Sequence, residues 1–212
     1  MINESPTQTG AGFAAATGSP AGGKVRFPRA VAITVAAELC KALEPVCERL
    51  IVAGSLRRMK ADVGDVEILY IGKPEVRQEP ADMFASVTVN LADEMIRSLE
   101  ISAVLLRRKN VNGSEMYGPK NKLMCHRATG LPVDLFAATP ENWWNYLVCR
   151  TGPAESNTRI CMAAQDRGWK WNPYGVGFSR PSGLGVEIRA MESEAEVFAF
   201  VGLPYAEPKD RR

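Results

Sequence analysis

Asp65 and Glu67 stand two residues apart at the head of the apolar run VEILYI (66–71). On an extended strand both carboxylates then project from one face, a few ångströms apart on the order of one pleat. Two carboxylates held that close repel unless a cation lies between them. Hard oxygen ligands of this kind suit Mg²⁺ or Mn²⁺, ions bound through one or two carboxylates together with substrate phosphates. A third acid, Asp134, interrupts the apolar run LPVDLF (131–136), where an unpaired charge is expensive. If the two runs are neighbouring strands, three acids converge.

The segment before these acids supplies the complementary half. Gly54 and Ser55 leave the strand RLIVAG (49–54) with small side chains, so backbone N–H groups and a hydroxyl can approach a phosphate. Arg57 and Arg58 add planar, permanently charged donors, and Gly64 leaves space over Asp65. Taken singly, a D-x-E pair also suits a solvated strand edge, and GS followed by RR suits a basic turn. Together they are what metal-assisted phosphoryl or nucleotidyl transfer needs.

The elements that must position these residues follow from periodicity. Residues 1–23 hold five Gly, five Ala and one charged residue, a composition that predicts a flexible tail. A helix is expected from Pro28, with Val31, Val35, Leu39, Ala42, Val46 and Leu50 at steps of three or four and a kink or restart at Pro45. Residues 80–99 predict a second helix, with Met83, Val87, Leu91, Met95 and Leu99 at steps of four. ISAVLL (101–106) and LPVDLF read as strands flanking NKLMCH (121–126), which makes the sheet mixed. Beyond Pro140, PENWWNYLVCR, AESNTRICMAAQDRG and ESEAEVFAFVG read as helices, and a subdomain boundary is placed between 140 and 152.

At 212 residues and 46% hydrophobic content the chain can bury a real core, and its net charge of +2 permits a nucleic-acid partner without requiring one. Charge is unevenly spread: residues 97–127 carry seven Lys or Arg against two acids. The strip of Arg107, Arg108, Lys109, Lys120, Lys122 and Arg127 is a candidate for DNA-backbone contact, or else a solvated edge that blocks aggregation. Five cysteines without C-x-x-C or Cys/His spacing predict neither a disulfide framework nor a zinc site and fit a reducing compartment. No secretion signal or membrane span is read, and a cytoplasmic location is expected. Trp143, Trp144, Trp169 and Trp171 read as packing residues before base-stacking ones, and His126 is given no general-base role.

The stretch GSLRRMKADVGDVEIL resembles the nucleotidyltransferase signature of the family X DNA polymerases, the DNA polymerase beta group. RFPR (26–29), VDLF, RTG with Asn157, DRGWKWNPYG (166–175) and ESEAEVFAFVGLPYAEPKDR (192–211) resemble family motifs in the same order, over about residues 24–212. The resemblance implies an α+β fold, with a polymerase beta-like palm of mixed sheet and flanking helices over 24–147. A small, mostly helical C-terminal subdomain over 148–212 would serve as thumb or fingers. It implies a minimal form, without the lyase and helix-hairpin-helix domains of larger members, as in viral members, an architecture compatible with a viral or phage source. By the same resemblance Asp65, Glu67 and Asp134 would hold two Mg²⁺ ions, with Mn²⁺ as a substitute. Arg29, Gly54, Ser55, Arg58 and Gly64 would hold the triphosphate, Gly152 and Asn157 the sugar and base, and Arg159 would stand in for a template-side arginine. Arg57 is assigned either structural or DNA-backbone duty.

The implied activity is template-directed addition of dNTPs to a primer 3′-hydroxyl with pyrophosphate release, in short gap filling during DNA repair. DNA primer-template or gapped DNA and dNTPs would be the partners, and the protein a monomer. Glu67 departs from the family's Asp, while Cys149 and Arg150 stand where animal members carry an aromatic pair that helps exclude ribonucleotides. The alternatives are a template-independent nucleotidyltransferase acting on RNA, a small molecule or a protein, and a non-catalytic DNA-binding or scaffold protein, against which the intact acids argue.

Overall fold

The computed structural model describes residues 25–79, 82–183 and 185–212; the tail expected over 1–23 lies outside them. The chain runs β1 (Phe27–Pro28), α1 (Arg29–Leu43), a 3-10 turn (Glu44–Val46), β2 (Cys47–Val52), α2 (Gly54–Arg57), β3 (Asp62–Val63) and β4 (Val66–Gly72). There follow β5 (Pro74–Glu79), β6 (Asp82–Asn90), α3 (Leu91–Ile101), β7 (Leu105–Arg107), β8 (Asn121–His126) and β9 (Pro132–Ala137). The last part holds α4 (Trp143–Thr151), α5 (Ala154–Gln165), β10 (Lys170–Trp171), β11 (Gly177–Ser182), β12 (Gly185–Ala190) and α6 (Glu194–Phe200).

Five strands form a sheet in the order β2-β4-β9-β8-β7, in which only β4 and β9 are parallel, so the sheet is mixed as expected. Period-two alternation divides β4 between two layers. Val66, Ile68 and Tyr70 join Val35, Leu39 and Leu43 of α1 and Ala92 and Ile96 of α3 in one core. Leu69 and Ile71, with Phe136 of β9, pack on the other face against Trp143, Tyr146 and Leu147 of α4. Complete burial of each of these large aliphatics contributes about 1.5–3 kcal/mol. A separate core gathers Val148, Ile160, Trp171, Phe178, Val197 and Phe198 from the C-terminal helices and the three-stranded sheet β10-β11-β12.

Several elements differ from the sequence reading. Within the segment expected as one helix over 80–99, residues 82–90 are a strand that pairs with β5, and α3 starts only at Leu91. The run Val87-Thr88-Val89 is β-branched, stiff at χ1 and suited to a strand. Asn90 then caps α3, accepting from the backbone N–H of Ala92 at 3.0 Å and Asp93 at 3.2 Å. The strand expected over 101–106 is shortened to Leu105–Arg107, because Ile101 finishes α3 and Ala103 turns the chain with φ +56°. The C-terminal part, expected to be mostly helical, also carries the β10-β11-β12 sheet. Trp143 and Trp171 are buried in the cores, and Trp169 stacks edge-on with Phe200 at 5.1 Å, so they serve packing.

Candidate active site

Antiparallel pairing of β2 with β4 returns the end of β2 to the start of β4, and the Ala53 N–H donates to the Glu67 carbonyl at 2.8 Å. The turn that follows β2 is thereby set against the acids. Gly54 adopts φ +63°, and a Cβ there would overlap Oε2 of Glu67, so the position requires glycine on two counts. One helical turn, α2, carries Ser55, Leu56 and Arg57. The Ser55 hydroxyl is buried and has no hydrogen-bond partner among the described residues. Arg29, at the start of α1, donates through Nη1 to the Leu56 carbonyl at 2.7 Å, which brings it to this loop.

The acids lie on the α4 face of the sheet. Glu67 and Asp134 are direct partners in the parallel register of β4 and β9, and Asp65 precedes Glu67 by two residues, just outside the strand. Burial pushes the Glu67 carboxyl up to about 7, with Asp65 and Asp134 adding to the rise and Arg150 and Arg58 opposing it. Two guanidinium groups neutralise part of this charge. Arg108 donates through Nη2 to Asp134 Oδ1 and through Nε to the Met124 carbonyl at 3.1 Å. Arg150 Nη1 lies 3.9 Å from Glu67 Oε1. Among the described residues no group of three or more Asp, Glu, His or Cys stands in ready-made metal-holding geometry. The donor chemistry nevertheless fits a hard divalent ion: oxygen ligands only, mutually repelling, around one largely buried carboxylate.

The remaining predicted residues are placed unequally. Arg58 donates to the Thr151 carbonyl, and Gly152, at φ +60°, leaves so little room that a Cβ would come within 3.2 Å of Arg58 Nη1. Asn157 donates through Nδ2 to the Cys149 carbonyl at 2.9 Å, while its Oδ1 is buried without a hydrogen-bond partner among the described residues. Gly64 is buried beside Asp65. Arg159 is exposed on α5 and donates to the carbonyl of Arg212. Of the basic strip, Lys109, Lys120 and Arg127 are exposed. Arg107 is also exposed but pairs with Glu100 at 2.6 Å.

Two members of that strip need correction. Lys122 is 3% exposed, because alternation in β8 turns Lys122, Met124 and His126 inward; its Nζ donates to Asp93 at 2.7 Å and to the Gly118 carbonyl at 3.1 Å. Arg108 is turned to Asp134 instead of outward. Neither presents its charge as a backbone contact would require. His126 is buried against Thr129 and Glu38, at 2.9 and 3.4 Å.

Four residues gain a place that sequence spacing did not give them. Glu194 of α6 receives both Nη atoms of Arg57, at 2.8 and 2.6 Å, and Arg211 at 2.9 Å. Thr151 receives Arg57 through its hydroxyl at 2.6 Å. Arg150 lies over Phe136 and beside Tyr174. The only local sign of these roles was position: Arg150 and Thr151 lie within RTG, and Glu194 and Arg211 within the stretch 192–211.

Among the described residues no helix is long and apolar enough to cross a membrane. No curated protein matches the chain. Residues 146–212, from the middle of α4 onward, match the DNA polymerase beta thumb family, so this part of the chain is similar to that polymerase domain.

Proposed function

We propose that the protein is a template-directed DNA polymerase that adds dNTPs to a primer 3′-hydroxyl with release of pyrophosphate, in short gap filling during DNA repair. The observation that carries this reading is the register of Glu67 against Asp134, on the sheet face that meets both the Gly54 turn and the thumb-like segment. Asp65, Glu67 and Asp134 are the residues that would hold two Mg²⁺ ions, or Mn²⁺ in their place. Such ions, when bound, supply Lewis-acid activation of the hydroxyl and charge neutralisation of the triphosphate.

The chain's own groups do the positioning. Ser55 offers a buried hydroxyl with no hydrogen-bond partner among the described residues, and Arg29 and Arg58 bring guanidinium charge to the same loop for the β and γ phosphates. Gly152 would lie beneath the sugar, and Asn157, whose Oδ1 is buried without a hydrogen-bond partner among the described residues, would meet the base or sugar. Binding the triphosphate on one side and the primer end on the other turns the reaction into an oriented, in-line displacement at the α-phosphate. DNA is held by Lys109, Lys120, Arg127 and the thumb-like segment, and the protein works as a monomer in the cytoplasm.

Extension of a labelled primer on a one-nucleotide gap, with each dNTP and each NTP singly, tests the reading. Incorporation that follows the template base supports it, and loss of turnover in a folded Asp134→Ala variant assigns the acid. Incorporation that ignores the template base points to the template-independent transferase instead, and a protein that incorporates nothing on any acceptor is not a polymerase.

A further inference from the structure

Arg150 projects from α4 into a cage of three aromatic rings. Its Cζ lies 3.6 Å from the ring centroid of Phe136, 5.2 Å from that of Tyr174 and 5.4 Å from that of Tyr146. These are cation–π distances, and a guanidinium so enclosed is held by ring faces. Its Nε is buried and without a hydrogen-bond partner among the described residues, so the group is not oriented by a full set of hydrogen bonds. What it faces is a charge: Glu67 Oε1 at 3.9 Å, too far for a hydrogen bond but close for a through-space ion pair. The other oxygen of the same carboxylate, Oε2, is set against the bare Cα of Gly54. Glu67 is thus fixed from both sides, by a missing side chain and by a caged cation.

We propose that Arg150 is a positioning residue for Glu67, whose caged positive charge steers the carboxylate and competes with the divalent ion for it. The inference rests on the reading of Glu67 as a metal ligand. Because the contact is coulombic, the function depends on the charge at this position and not on the fork geometry of arginine. Lysine would preserve it; an uncharged side chain of similar length would remove the competition and leave Glu67, Asp65 and Asp134 with a stronger pull on a cation.

Mn²⁺ titration of the nucleotide-free full chain at about pH 8, above the value of about 7 to which Glu67 is pushed so that proton competition for the carboxylate is small, followed by the electron paramagnetic resonance signal of free Mn²⁺, separates these cases. Arg150→Gln should bind Mn²⁺ roughly tenfold tighter than the wild type, and Arg150→Lys should stay within about twofold of it. Arg150→Met, which keeps a stem against the rings and drops the charge, serves as a second neutral variant. If the wild type binds Mn²⁺ and neither neutral variant binds it more tightly, the inference is overturned while the metal reading stands. If the wild type binds none, both fall. If both neutral variants are unfolded by circular dichroism while the lysine variant folds, Arg150 is a structural residue and the inference is again overturned.

Discussion

Arg57 grips Glu194 across 137 positions of sequence, with its two Nη atoms 2.8 and 2.6 Å from the two carboxylate oxygens. Arg211 closes on the same carboxylate from the far end of the chain at 2.9 Å. The turn that carries Ser55 and Arg58 is therefore tied to α6 and to the C-terminus through one buried acid. Removing Glu194 leaves two guanidinium groups facing each other, and breaking a buried pair by deleting one partner costs about 3–5 kcal/mol. Glu194→Ala should lower stability by about that amount, read from urea denaturation midpoints at constant slope. A change under about 1 kcal/mol would mean the bridge is no stronger than a surface pair.

The same acid gives a pH dependence whose sign is fixed. Burial raises the Glu194 carboxyl, but the hydrogen bonds and charges of Arg57 and Arg211 outweigh it and hold it below the ordinary value of 4.5. In the folded chain Glu194 gives up its proton more readily than in the unfolded chain. Its stabilisation is present above pH 4.5 and is lost as pH falls through the folded value. The stability gap between wild type and Glu194→Gln should therefore be full near neutrality and close on acidification, in melts from about pH 7 to about pH 3. A gap that stays constant over that range would refute the assignment.

Gly54→Ala tests the packing of the acids against the turn. The new methyl meets Glu67 Oε2 and Cδ, and the backbone is held at φ +63°, where an alanine is strained. A substitution with both faults should cost at least about 1 kcal/mol. It should also depress nucleotide incorporation, since Glu67 must move to admit it. Wild-type incorporation with unchanged stability would show that the turn and the acid are not packed as described.

How much of this was legible in the sequence depended on whether the signal was local. Strand β8 coincides with NKLMCH, and β4 and β9 fall within a residue of their expected bounds, because each is an apolar run cut off by turn residues. Asp65, Glu67 and Asp134 stood out because carboxylates in or beside such runs need a reason. The error over 80–99 has a simple origin: steps of four fit one face of a helix and equally one side of a strand, since four is a multiple of two. The β-branched run before Asn90 was the discriminating sign. Arg108 reaching Asp134, Arg150 reaching Glu67 and Arg57 reaching Glu194 join residues 26, 83 and 137 positions apart, and no local pattern encodes such pairings.

Lys122 and the exposed lysines beside it should behave oppositely toward DNA. Lys122 is 3% exposed and holds Asp93, which also accepts from the Tyr70 hydroxyl at 3.0 Å. Its charge is spent inside the fold. Lys109, Lys120 and Arg127 lie on the outside of the same region, where their charge can displace condensed counterions from a DNA backbone. Each DNA phosphate that the protein no longer neutralises should reduce the slope of log affinity against log salt by roughly one. A Lys109→Ala, Lys120→Ala, Arg127→Ala triple variant should therefore flatten that slope by up to about three, with stability within about 0.5 kcal/mol of wild type per site. Lys122→Met should do the reverse, leaving the slope unchanged while Asp93, which keeps the Tyr70 hydroxyl but loses its cation, lowers stability by about 1–3 kcal/mol. Fluorescence anisotropy of a labelled gapped duplex across a salt series, alongside urea denaturation, reads both quantities. If the triple variant keeps the full salt slope, these residues form a solvated edge, and DNA is held by the thumb-like segment.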